Sequence, residues 1–174
     1  FPENGYHGHD IVETAKRIVS SNGESFLIMS EDARLREFKT LALKEKLAAL
    51  KEDLESFGVT FDQWFSEQTL HDADEITKSC DILKKTGDLY NHEGAWWLRS
   101  TKYGDDKDRV VIRENGQPTY LAADIAYHKD KLERGFERII KIWGADHHVY
   151  IPRIKADVEA LGYKGEQLEV LLLQ

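Results

Sequence analysis

The densest concentration of chemistry in the sequence is Gly144, Asp146, His147 and His148, four polar or permissive residues within five positions. An aspartate can accept hydrogen bonds from a pair of sugar hydroxyls. Imidazoles can donate to phosphate or carboxylate, or ligate a metal ion. Gly144 lets a flat group approach the backbone closely. A second constellation, Tyr120, Asp124 and His128, repeats at intervals of four and so shares one helix face. Structural readings stand beside these. Asp146 and Asp124 are equally suited to capping a helix or complementing its dipole.

The elements around the first cluster give it a position. Ile139, Ile140, Ile142 and Trp143 form an apolar run of the kind that fills a buried strand. The run ends at Gly144, and a helical pattern follows, with Pro152 near its start, where proline is tolerated. That helix runs through Ile154, Val158 and Leu161 to Gly162, and Leu168 to Leu172 reads as a second buried strand. Strand, helix, strand at this spacing is a βαβ unit with a parallel sheet. The fold class is therefore α/β, and the cluster lies at the carboxyl end of a strand, where open α/β sheets bind ligands.

Upstream, Phe1 to Gly8 reads as a loop, and His9 or Asp10 as the cap of a helix ending near Ser21. Ser30 caps a long helix that reaches Phe57 before Gly58, with Leu43, Leu47, Leu50, Leu54 and Phe57 on one packed face. Val59 to Ser66 is rich in β-formers and predicts a strand. A helix follows from about Asp72 to Lys85, with Cys80 as a small packing residue beside Ile76 and Leu83. Leu89–Tyr90 with Ala95–Arg99, and Arg109–Arg113 with Thr119–Leu121, predict a small antiparallel sheet of two hairpins. Asp105 and Asp106, between them, read as a solvated turn. On the helix that follows, Ile125, Leu132 and Phe136 lie on a second face.

Composition bounds the rest. The chain has 174 residues, 41% hydrophobic and 32% charged, which suits a folded domain. Its net charge of −8 argues against a general nucleic-acid-binding surface. A single cysteine excludes an internal disulfide and points to a reducing, cytoplasmic setting. No apolar run approaches a membrane span. The opening Phe1-Pro-Glu-Asn-Gly5, without an initiator methionine, and the strand-like close at Gln174 read as a piece of a longer protein.

Taken together, several segments resemble the arginyl-tRNA synthetases, bacterial type. They are Gly5-Tyr-His-Gly-His-Asp-Ile-Val12, Phe61-Asp-Gln-Trp-Phe-Ser-Glu67 and Arg99-Ser-Thr-Lys-Tyr-Gly-Asp-Asp-Lys-Asp-Arg109. They continue with Tyr120-Leu-Ala-Ala-Asp-Ile-Ala-Tyr-His128, Trp143-Gly-Ala-Asp-His-His148 and Ile151-Pro-Arg-Ile-Lys155. The resemblance is collinear and covers essentially the whole chain. It implies a class I aminoacyl-tRNA synthetase with a Rossmann-like parallel sheet split by an insertion. Residues 1–118 are then the insertion region, and 119–174 part of the second half of the catalytic core.

The implied activity is that of an arginine–tRNA ligase, in which ATP activates L-arginine to arginyl-adenylate and the arginyl group passes to tRNA(Arg). The implied arginine-pocket residues are Tyr120, Asp124 and His147. Gly144, Asp146 and His148 fall on the ATP and adenosine side. The family's His-x-Gly-His and Lys-Met-Ser-Lys-type motifs, which stabilise the charge of the phosphoryl transition state, are not in these residues. The resemblance thus implies no catalytic residue here, no resident metal, Mg2+ only with ATP in the complete enzyme, and a monomeric complete enzyme. Two other readings stay open. Asp146, His147 and His148 resemble the Asp-His-His signature of a metal-dependent phosphoesterase, which needs further aspartates at other strand ends; the candidates, Asp105 and Asp106, sit in a loop. Alternatively the chain is a non-catalytic interaction module, associating through its 168–172 strand.

Overall fold

The computed structural model describes residues 5–174, so the part of the opening loop before Gly5 lies outside the described residues. The chain divides into two compact units, one ending at Trp64 and the other running from Phe65 to Gln174.

The first unit is helical. Helix α1 (His9–Asn22) is preceded by Gly8 at the N-cap position, so neither His9 nor Asp10 is the cap. Asp10 instead sits in the first turn, where its carboxylate takes a hydrogen bond from Lys46 Nζ at 3.1 Å. Gly23, at φ +56°, ends the helix and opens a 3-10 turn over Gly23–Ile28. Helix α2 (Glu31–Ser56) begins where Ser30 Oγ accepts from the Ala33 amide. It closes in a Schellman motif. There, Gly58 N donates to Glu55 O at 3.0 Å and Val59 N to Leu54 O at 2.8 Å. Gly58 is at φ +82°, a conformation that glycine adopts at little cost.

The leucine stripe of α2 does not form the packed face its spacing suggests. No residue of α2 is buried, and Leu50 is 52% and Phe57 85% exposed. Polar groups make much of the α1–α2 contact: Thr14 Oγ1 and Arg17 donate to Glu45, and only Ile18, Phe26 and Thr14 are buried among the described residues of this unit. Val59–Ser66 is not a strand either. β-formers make a strand only when a neighbour completes the ladder, and here Phe61 and Trp64 instead stack edge to face at 5.3 Å.

The second unit holds the core. Short helix α3 (Gln68–Asp72) precedes α4 (Glu75–Thr86), which therefore starts later than the sequence suggests. Cys80 is buried beside Ile76 and Leu83, and burial pushes its thiol up to about 11, which suits packing rather than nucleophilic attack. Strands β1 (Leu89–His92) and β2 (Ala95–Leu98) form a hairpin. Its turn residues Glu93 and Gly94 both have positive φ, as tight hairpin turns require. Strand β3 (Arg109–Ile112) adds antiparallel to β2.

The expected strand at Thr119–Leu121 is absent, because Pro118 has no N–H to extend a ladder. A single bridge joins Ile112 to Pro118. Thr119 then anchors to β3, its hydroxyl donating to Val110 O and Val111 O, and α5 (Tyr120–Glu133) starts at once. The loop before β3 is solvated at Asp106 and Lys107 but not at Asp105. Asp105 is buried and takes two hydrogen bonds from Arg109 at 2.8 Å, Arg109 also grips Asp106, and Asp108 accepts from Tyr90 and Thr101.

After α5 the chain forms β4 (Ile139–Gly144), a 3-10 turn (Ala145–Tyr150), α6 (Ile151–Ala160) and β5 (Leu168–Leu173). Strands β4 and β5 pair in parallel, Ile139 opposite Leu168 and Gly144 opposite Leu173. This is the anticipated βαβ unit. Burial alternates along β4, however: Ile139 packs against Leu132, Ile154, Val158 and Leu168, whereas Ile140 is 49% and Ile142 62% exposed. The strand is covered on one face, not two. Phe136 also falls outside α5 and is exposed, so it belongs to no helix face.

Candidate functional site

Three elements of the second unit converge on one cleft. The N-terminus of α5 brings Tyr120 and Asp124, the carboxyl end of β4 brings Trp143, and the 3-10 turn with α6 brings His147, Tyr150 and Arg153. Leu121 and Ile154 complete the lining of a cavity of about 420 Å³. Tyr120, first in its helix, is 87% exposed and overhangs the cavity. It also stands in a neighbouring hollow of about 300 Å³ with Glu67, His71 and Arg113.

The walls are aromatic and the charges few. His147 lies between Trp143, ring centres 5.6 Å apart, and Tyr150, 5.8 Å apart. The Arg153 guanidinium sits over the Tyr150 ring at 4.5 Å, and Lys141 Nζ is 5.0 Å from the Trp143 ring, both within cation–π range. Burial raises the Asp124 carboxyl above its ordinary range, against the opposing pull of Lys141 and Arg153. Burial lowers the Lys141 ammonium, and Asp124 and Asp157 partly restore it. A half-buried carboxylate among aromatic faces can take a planar cation twice over, by paired hydrogen bonds and by stacking.

Of the residues singled out from the sequence, Tyr120, Asp124 and His147 share this cavity. Gly144, Asp146 and His148 lie at the same strand end but not in the cavity lining. A Cβ on Gly144 would come within 2.7 Å of the Asp146 carboxylate, so the two are in close contact. Asp146 is largely exposed, 3.7 Å from His147 Nε2. His148 turns back, Nδ1 2.9 Å from Ala145 O, so Nδ1–H donates to that carbonyl. His128, the third of the four-spaced set, is fully buried and does not line the cavity. Asp105 and Asp106 are held by Arg109, and among the described residues no three His, Cys, Asp or Glu are gathered to share a metal ion.

Sequence reasoning passed over Tyr150, Arg153 and Lys141. A signal existed for the first two: His147, Tyr150 and Arg153 recur at intervals of three; residues three apart align in a 3-10 turn, which holds the first two, and Arg153 follows in the first turn of α6.

No protein-family model matches the chain. Among solved structures, one from Campylobacter jejuni, described as a putative arginyl-tRNA synthetase, superposes with a TM-score of 0.89 at 42% identity. The match covers 100% of this chain and 38% of that one. The arginyl-tRNA synthetase of Thermus thermophilus gives 0.67 over 97% of this chain and 37% of its own at 16% identity, a likeness of fold alone. The fold is thus a piece of class I aminoacyl-tRNA synthetase architecture.

Curated relatives narrow the class. The arginine–tRNA ligase of Bacillus licheniformis is 51% identical over 173 residues, and arginine–tRNA ligase 1 of Halalkalibacterium halodurans 49%, each across 99% of this chain. The chain belongs, as a segment, to the arginyl-tRNA synthetases. It spans 31% of the length of those relatives.

Proposed function

We propose that this chain supplies the arginine-binding part of an arginine–tRNA ligase active site, with Tyr120, Asp124 and His147 holding the amino acid. The observation that carries this reading is the meeting of those three side chains at one cavity of about 420 Å³. Asp124 takes the guanidinium by two parallel hydrogen bonds, Tyr120 walls the side chain, and Tyr150 and Trp143 offer aromatic faces. Arg153 and Lys141 keep the carboxylate from being the only strong charge and favour a substrate that also carries a carboxylate. Gly144, Asp146 and His148 serve the adenosine side, Asp146 toward the ribose.

In the complete ligase, arginine attacks the α-phosphate of Mg2+-bound ATP, forming arginyl-adenylate and releasing pyrophosphate, and the arginyl group then passes to tRNA(Arg). Residues 1–118 form the insertion and 119–174 part of the catalytic core of that enzyme, a monomer acting in the cytoplasm. The 174 residues contain neither phosphate-stabilising signature motif, so alone they exchange no pyrophosphate into ATP.

The test is Asp124→Ala in a ligase carrying this segment. The arginine KM rises by at least about 30-fold, the cost of unpairing a buried charge, while the ATP KM changes far less. Burial raises the Asp124 carboxyl, so arginine binding weakens as pH falls through that raised value, because protonation removes the charge. Asp124→Asn abolishes this inflection. An unchanged arginine KM in Asp124→Ala removes Asp124 from the pocket.

A further inference from the structure

One helical turn beyond the cavity residues Asp124 and Arg153 lies a pair of polar side chains with no hydrogen-bond partner. Both ring nitrogens of His128 and both carboxylate oxygens of Asp157 are buried and unmatched. Both side chains are fully enclosed, and Nδ1 of His128 stands 4.0 Å from Oδ2 of Asp157. Buried polar atoms are nearly always matched, since leaving them bare in a low-dielectric interior is costly. A pair this close is matched most simply to itself, at Nδ1 of His128 and Oδ2 of Asp157. A shift of about 1 Å brings the two atoms to hydrogen-bond distance.

Their place in the fold ties them to the cavity. His128 lies one turn beyond Asp124 on α5, and Asp157 one turn beyond Arg153 on α6. Helices α5 and α6 touch. The cavity charges and the buried pair are thus successive rungs on the same two helices. Lys141, from β4, acts electrostatically on both rungs, through Asp124 and through Asp157.

We propose that His128 and Asp157 hold one proton between them, and that this pair positions Asp124 and Arg153 by fixing the spacing of α5 and α6. The proton resides on Asp157, whose Oδ2–H donates to His128 Nδ1. His128 keeps its own hydrogen on Nε2, and the pair carries no net charge. The groups facing it are Asp124 and Lys131 from α5, Lys141 from β4, Arg153 from α6 and Asp105 from the loop before β3. Burial is the dominant influence. It drives the Asp157 carboxyl well above its usual range and the His128 imidazole well below its own, which favours both neutral forms. The positioning role rests on the arginine reading for its kinetic readout; the protonation state does not.

The experiment uses 15N-histidine NMR and arginine kinetics of a ligase carrying the segment, as wild type, Asp157→Asn and Asp157→Ala, with a His128→Gln variant to assign the resonance. In the wild type, His128 shows a neutral Nε2–H imidazole from about pH 5 to about pH 8, where histidine in water titrates. Asp157→Asn keeps a donor toward Nδ1, so it preserves that signature and leaves the arginine KM within about twofold. Asp157→Ala shifts the His128 resonances, speeds amide exchange in α5 and α6, and raises the arginine KM by about tenfold with the ATP KM unchanged. An imidazolium signal for wild-type His128 in that range overturns the proposal, as does an Asn variant that behaves like the Ala variant. An Ala variant that leaves α5–α6 exchange and the arginine KM unchanged overturns it too. If Asp157→Ala does not fold, wild type and Asp157→Asn decide the matter. If Asp124→Ala leaves arginine binding intact, the arginine reading fails, and NMR and amide exchange alone judge the pair.

Discussion

Helices α2 and α5 are both regular, yet they are held by opposite means. Helix α2 runs 26 residues without burying one of them. Its order comes from its ends, the Ser30 cap and the Schellman closure at Gly58, and from good helix-formers between them. Helix α5 has 14 residues and buries eight, including Ala122, Ile125 and His128. Its start is set by the Thr119 anchor to β3, with no side-chain cap. Being helical and being packed are thus separate properties, and it is the packed helix that brings Tyr120 and Asp124 to their cavity.

The contrast can be broken most decisively by truncating one side chain in each helix. Ile125→Ala, fully enclosed in α5, costs about 4 kcal/mol of unfolding free energy in denaturant titration. Leu50→Ala on α2 stays within about 0.5 kcal/mol. Equal losses would mean that the α2 stripe is packed after all.

Ion pairs sharpen the same comparison. Arg109→Ala strands the buried Asp105 carboxylate and costs about 3 kcal/mol. Arg17→Ala breaks an exposed pair with Glu45 in the first unit and changes stability far less, since solvent screens such pairs. Burial alone would raise the Asp105 carboxyl, but hydrogen bonds from Arg109 and the Asp106 amide outweigh it and hold the group well below its usual range. Its contribution is therefore complete above the ordinary aspartate value and is lost as pH falls from there through the depressed one. The acid limb of the stability profile should flatten in Arg109→Ala; an unchanged limb would remove Asp105 from the account.

The smallest effect is at the ends. Ser30→Ala removes the α2 cap, whose hydrogen bond is long at 3.4 Å, and costs about 1 kcal/mol or less. Thermal melting followed by circular dichroism would register it. No change would mean that the helix-formers alone sustain α2.

The sequence was most readable where a signal is local. Ser30 and Gly58 bound α2, and the βαβ unit with Gly144 at a strand end is as expected. It was least readable where the outcome depends on a partner. Val59–Ser66 has strand composition but no ladder to join, and the α2 leucines have helical spacing but nothing in their own unit to cover them. Pro118 carried the information that the second hairpin stops early, yet composition around it outvoted the missing N–H. The grouping of Tyr120, Asp124 and His147 was legible only through motifs, since no local pattern links a helix start to a strand end. Asp105 of the charged loop was misjudged, whereas Asp106 is exposed as expected, because nothing local shows that Arg109 folds back onto the first aspartate.

The 3-10 turn at Ala145–Tyr150 has a consequence for how this chain can vary in length. At three residues per turn, adding or deleting one residue there would swing the side chains on one flank by about 120° relative to the other. His147 would no longer line up with Tyr150 and Arg153. The connection between β4 and α6 therefore has a fixed gauge.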